Sequence, residues 1–134
     1  MNNTALITGA SKRIGKSISE LLAENGWNVI VNYNRSENIA KQFVTELSAK
    51  YPSQKFVAVK ANLSDKEEVS QLIPKLIDES GIFQLRVNNA SVFKPGYLKE
   101  TTADLFENQM RVNLKAPFLL SRDFANYCKH GNII

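Results

Sequence analysis

Apolar residues along this chain follow two alternating periods. Short continuous runs at Ala5–Thr8, Asn28–Asn32, Phe56–Val59 and Phe83–Val87 read as strands. Between them, apolar positions recur every three or four residues: Ile14, Ile18, Leu21 and Leu22, then Ile39, Phe43, Val44 and Leu47, then Val69, Leu72, Ile73, Leu76 and Ile77. That spacing lays an apolar stripe along one face of a helix. Gly26 is placed to end the first helix and Ser36 to cap the second. Ser64 with Glu67 has the spacing of a capping box for the third, where Pro74 predicts a kink or a restart. Residues 88–102 read mostly as loop. Thr101 with Asp104 marks another helix start, and that helix is expected to reach about Lys129 and end at Gly131. Asn132-Ile133-Ile134 then begins a fifth strand.

This order specifies an α/β fold, a Rossmann-like doubly wound parallel sheet with helices on both faces. The expected sheet is truncated at the start of its fifth strand. The 134 residues suit one domain. The 43% hydrophobic content includes no window long enough to span a bilayer. Met1-Asn2-Asn3-Thr4 lacks the charged start and apolar core of a signal peptide, and the lone Cys128 cannot form an internal disulfide. A cytoplasmic location is expected. The net charge of +4 is spread along the chain, without the dense basic stripe of a nucleic-acid surface. No nucleic-acid or membrane partner is expected. A local cluster of cations for one phosphorylated ligand explains the excess equally well.

The chemistry begins at Thr8-Gly9-Ala10-Ser11-Lys12-Arg13-Ile14-Gly15, which lies between the first strand and the first helix. A Gly-bearing turn that opens a helix offers unpaired N–H groups and a positive dipole end to phosphate. Gly9 and Gly15 are present, but Arg13 stands where a middle glycine is common. The position of the turn in the first strand–helix unit favours a nucleotide site over an ordinary connection. Residues 1–134 then read as a single, incomplete dinucleotide-binding domain.

Further motifs follow in order: Asn62-Leu63-Ser64-Asp65, Asn88-Asn89-Ala90-Ser91, and Asn113-Leu114-Lys115-Ala116-Pro117-Phe118. With the Thr8–Gly15 turn, they make the chain resemble the N-terminal half of a short-chain dehydrogenase/reductase. Lys12-Arg13 and Asn88-Asn89-Ala90-Ser91-Val92-Phe93 look most like the pteridine-reductase branch. The resemblance implies cofactor contacts from Gly9, Ser11, Lys12, Arg13, Ile14, Gly15, Arg35, Ser36, Asn62, Leu63, Asn89 and Ala90. It implies substrate contacts from Ser91 and Phe93, with the Phe93 ring stacking a pterin. Phe93 can equally be a loop aromatic packed on the core. Asn62 stands where the family often has an Asp that accepts from the adenine amino group. Asn88 is expected to tie strands together near the cofactor. No metal is implied.

Charge selects the cofactor. An NAD enzyme commonly places an acid after the second strand to accept from the ribose 2′-OH. Val31-Asn32-Tyr33-Asn34-Arg35-Ser36 contains none. Arg35 and Ser36, with Lys12 and Arg13 nearby, suit a 2′-phosphate and hence NADP(H). The plainer reading of Arg35 is a solvated charge at a helix start. Pro117, four residues after Asn113, has no N–H to give to the Asn113 carbonyl. A kink follows, which either serves packing or frees that carbonyl for the water of the family's proton relay.

The family's reaction also needs a Ser and a Tyr-x-x-x-Lys pair, expected after the fifth strand. Tyr51 with Lys55 has that spacing, but Pro52 and a loop context exclude it, and Tyr127 is followed by Gly131. The reading is an NADP(H)-binding reductase-like chain, acting by descent on a C=O or C=N group and inactive by itself. The alternative is a catalytically silent nucleotide-binding or interaction module. The long helix often mediates dimers in this family, so homo-oligomers are a further expectation. Arg86 breaks the apolar pattern of the fourth strand, and either reaches solvent across the sheet edge or marks relaxed constraint.

Overall fold

Strand register decides which residue faces which layer. The computed structural model describes residues 3–134. Its parallel strands are β1 (Thr4–Ile7), β2 (Asn28–Tyr33), β3 (Phe56–Lys60), β4 (Leu85–Val87) and β5 (Asn132–Ile133), in spatial order β3-β2-β1-β4-β5. The helices are α1 (Arg13–Glu24), α2 (Glu37–Lys50), α3 (Lys66–Ser80), α4 (Ala103–Met110) and α5 (Ala116–Tyr127). Leu6 lies opposite Ile30 and Arg86, while its neighbours Ala5 and Ile7 lie opposite Val29, Val31, Leu85 and Val87. Successive side chains leave opposite faces of a strand, so continuous apolar runs feed two cores. One core joins Ala5, Ile7, Val29 and Val31 to Ala23 of α1 and to Phe43 and Leu47 of α2. The other joins Leu6, Ile30 and Val59 to Leu72, Ile73 and Leu76 of α3 and to Leu120 and Phe124 of α5.

The chain runs outward from β1 to β3, then returns across β1 to β4. Strand order therefore reverses between β1 and β4, and the C-terminal ends of these strands frame the crevice where such sheets bind ligands.

Several element ends differ from the sequence reading. The cap of α3 is Asp65, whose carboxylate accepts from Glu68 N at 3.0 Å, one residue beyond the expected Ser64. Pro74 sits inside α3 without restarting it. The next helix is capped by Thr102, which accepts from Leu105 N, and not by Thr101. The break expected around Pro117 takes the form of a π turn, Arg111–Lys115, between α4 and α5. Ala116 N donates five residues back to Arg111 O, so one extra residue enters the turn ahead of the proline. Gly131 does not end the helix, because α5 stops at Tyr127 and Cys128 is extended. A Cβ at Gly131 would stand 2.7 Å from the Phe124 ring, so close packing explains this glycine.

Arg86 does not reach solvent. It lies between Leu6 and Ile133 on the sheet and is fully buried. Its Nη1 donates to Ser121 Oγ at 2.9 Å, while Nε and Nη2 have no acceptor among the described residues. Burial pulls its pKa down to about 10.

Candidate functional site

Threonine and asparagine side chains stitch the crevice shut beneath its floor. The Thr8 hydroxyl donates to Val87 O at 3.2 Å and accepts from Asn89 N and Ala90 N, each at 3.1 Å. Asn89 returns its amide to Thr8 O at 2.9 Å and Gly9 O at 3.1 Å. From the other side, buried Asn32 accepts from Gly9 N at 3.3 Å through Oδ1 and from Ala10 N at 3.0 Å through its backbone carbonyl. These bonds fix the turn after β1 against the ends of β4 and β2. The glycines permit the close fit. A Cβ on Gly9 would meet Ala90 Cα at 2.9 Å, and one on Gly15 would meet Asn89 Nδ2 at 2.5 Å. Gly9 has φ +63°, and Arg13 takes the same left-handed region at φ +52°, where glycine is the unstrained residue.

The start of α1 is prepared for an anion. Lys12 precedes it without a side-chain cap, and no acid occupies its first turn. The first helical backbone bond is Lys16 N to Lys12 O, so earlier N–H groups lie outside the ladder. By contrast, α3 and α4 are capped by side chains and carry acids in their first turns. Ser36 precedes α2, but its hydroxyl makes no cap bond, which leaves it free for another acceptor.

A cleft of about 780 Å³ runs along these strand ends. Gly9, Ser11, Lys12, Arg13, Ile14, Arg35, Ser36, Asn62, Asn89 and Ser91 all line it. Its lining carries three cations, Lys12, Arg13 and Arg35, and no carboxylate. None of the three cations has an ion-pair partner among the described residues. A dinucleotide's phosphates fit this arrangement: cationic side chains and unbonded N–H groups converge where a glycine turn lets the chain fold tightly.

Other expected site residues lie elsewhere. Gly15 is buried under the turn, and Leu63 is buried in the core beside α3. Ala90 packs partly buried against the same core, contributing its backbone N–H to Thr8. Phe93 is 85% exposed and neither packs on the core nor lines the cleft. Asn113 is also outside the lining. Its side chain clamps the loop after β4, accepting from Val92 N at 2.8 Å and donating to Val92 O at 2.7 Å. Asn88 ties β4 to the chain end, donating its backbone N–H to Ile134 O at 2.6 Å.

Only the fold reveals Thr8 as a bridge, Asn32 as a clamp, and Tyr33, Asn34, Ser64, Val92, Asn108 and Val112 as lining. A polar Asn32 inside an apolar strand run was a legible signal. Asn108 and Val112 reach the cleft only through tertiary placement of the long helix. Among the described residues, no three His, Cys, Asp or Glu side chains converge as metal ligands, and no helix is long and apolar enough to cross a membrane.

A doubly wound parallel sheet with an anion-ready cleft at its reversal point is an architecture that binds dinucleotides. The chain belongs to the short chain dehydrogenase family, whose pattern matches residues 3–134. It is 37% identical over 118 residues to a 3-oxoacyl-[acyl-carrier-protein] reductase, FabG, of Staphylococcus epidermidis, covering 88% of this chain and 48% of that protein. Its fold matches FolM alternative dihydrofolate reductase 1 of Brucella canis, crystallised with NADP, at a TM-score of 0.86 and 30% identity, over 94% of this chain and 50% of that one. A short chain dehydrogenase of Burkholderia cenocepacia, also with NADP, matches at a TM-score of 0.87 and 29% identity, over 93% and 50% of the two chains. The chain thus spans about half the length of the relatives it matches.

Proposed function

We propose that this chain is the cofactor-binding part of an NADP(H)-dependent reductase. The observation that carries this reading is the cleft lining, with Lys12, Arg13 and Arg35 present and no carboxylate. A carboxylate after β2 would repel a 2′-phosphate, whereas Arg35 attracts it and the unused Ser36 hydroxyl can donate to it. The start of α1, with Ser11 and Lys12, receives the pyrophosphate. Asn89 holds the turn against the end of β4. When bound, the nicotinamide supplies a hydride to a C=O or C=N carbon.

Resemblance to the pteridine-reductase branch through Lys12-Arg13 and Asn88–Phe93, together with the FolM neighbour, supports a pterin-like substrate. Ser91 lines the cleft, and exposed Phe93 is available to cover a ring laid there. Proton exchange with the substrate falls to residues outside these 134. Tyr51 ends α2 and Lys55 precedes β3, so both lie at the end of the sheet opposite the cleft. Exposed Phe106, Met110, Leu114 and Phe118, along α4, the π turn and α5, support self-association.

The test is a fluorescence titration of the 134-residue chain with NADPH and NADH, repeated with a pterin. Saturable NADPH binding without hydride transfer is expected. Absence of NADPH binding defeats the reading, and robust turnover defeats the assignment of proton exchange to other residues.

A further inference from the structure

A second hollow, of about 300 Å³, opens between the start of α3 and the π turn. Ser64 is the residue it shares with the lining of the larger cleft. Its floor is aliphatic, with Leu63, Val69 and Ala116 buried there and Leu119 half-buried. Its rim is cationic, carrying the exposed side chains of Lys66, Arg111 and Lys115. The lining holds one carboxylate, Asp65, and that group already accepts from Glu68 N. Arg111 is paired with Glu107 on α4 at 2.7 Å, whereas Lys66 and Lys115 have no ion-pair partner among the described residues.

These cations sit against local preference. Lys66 opens α3 at the positive end of the helix dipole, where acids such as the following Glu67 and Glu68 are the favoured residues. Arg111 and Lys115 lie four positions apart in the π turn, a spacing that sets like charges side by side. Neither placement helps the element it belongs to, and both bring positive charge to the mouth of one aliphatic hollow. Residues that break a local rule in this way gather at functional sites. The volume is at the small end of the range for ligand pockets.

We propose that this hollow binds a small amphipathic anion, a carboxylate on a short aliphatic body, at a site distinct from the nucleotide cleft. The body lies against Leu63, Val69, Ala116 and Leu119, removed from water. The carboxylate stays at the mouth, where Lys66 and Lys115 supply unpaired positive charge. An inorganic anion gains the charge but not the floor, and a neutral alcohol gains the floor but not the charge.

The experiment titrates the isotope-labelled chain with octanoate and follows its amide resonances. Saturable shifts are expected at Val69, Lys115 and Ala116, with Gly9 and Ser11 unmoved. Octanoate is expected to bind about threefold or more tightly than hexanoate, through burial of two further CH₂ groups. Octanol and inorganic phosphate are expected to bind at least about tenfold more weakly than octanoate. Lys66→Gln and Lys115→Gln, at exposed positions, should each weaken octanoate about threefold, the scale of an exposed ion pair. Lys41→Gln, on α2, should leave its affinity unchanged. The proposal is overturned by the absence of saturable shifts at Val69, Lys115 and Ala116, or by shifts centred on Gly9 and Arg13, which put the anion in the nucleotide cleft. It is overturned equally by octanol or phosphate binding as well as octanoate, by an affinity independent of chain length, or by both lysine variants binding as the parent does.

Discussion

Arg86 and Arg13 are both arginines in places that suit other residues, for different reasons. Arg86 carries its charge into a fully buried site with a single hydrogen-bond partner among the described residues, Ser121. Removing a buried, incompletely paired charge in favour of an apolar side chain of similar length stabilises by about 1–4 kcal/mol. Arg86→Met is therefore expected to raise Tm by at least about 3 °C in a thermal melt. The pH dependence follows from burial, which lowers the pKa to about 10, below that of an ordinary guanidinium. Below the folded value the buried charge costs its full amount. Above it the folded state releases the proton before the unfolded state does, so stability recovers as pH rises. The Tm gap between Arg86→Met and the parent should narrow as pH rises toward and through about 10. Arg13 is exposed but holds φ +52°. Arg13→Gly relieves about 1 kcal/mol of backbone strain while removing a cation from the cleft. Stability in urea should hold or rise, while NADPH affinity falls about fivefold or more and NADH affinity changes less.

Elements are held by contacts between chain segments far apart. Thr8 on the turn after β1 bonds residues 81 and 82 positions away, Asn89 and Ala90. Thr8→Val keeps the shape but leaves those two N–H groups without their acceptor, at about 1–3 kcal/mol. Urea denaturation should show that loss, and amide exchange at Asn89 and Ala90 should accelerate. The π turn shows a similar economy. Its Asn113 side chain presents a donor and an acceptor to the backbone of Val92, as a strand neighbour would. Asn113→Leu should free the loop of residues 91–100, seen as faster exchange at Val92 with little change in the β1 and β2 amides. Pro117 makes the helix break legible in the sequence, but not its form. The choice between a simple kink and a π turn depends on what the turned residues meet, and Val92 is 21 positions away.

At the scale of the molecule, the two cores and the cleft arise from one arrangement. Outward winding on one face and return on the other put every strand's C-terminal end on the same rim, where Lys12, Arg13 and Arg35 gather. Because these cations are exposed, their attraction for a 2′-phosphate is screened by salt. The ratio of NADPH to NADH affinity should fall steadily between about 0.05 and 0.5 M NaCl, which titrations at several salt concentrations check.

Period and composition alone determined the layers. Runs with a strand period between stripes with a helical period leave few topologies, and the absence of an acid from residues 31–36 set the charge of the rim before any fold was known. Tertiary structure decided what each polar group has left to offer. Phe93 proved exposed, Leu63 buried, Asn113 a loop clamp, and Asn62 a side chain with its oxygen already engaged. A sequence names donors and acceptors, but which remain free depends on partners brought together through space.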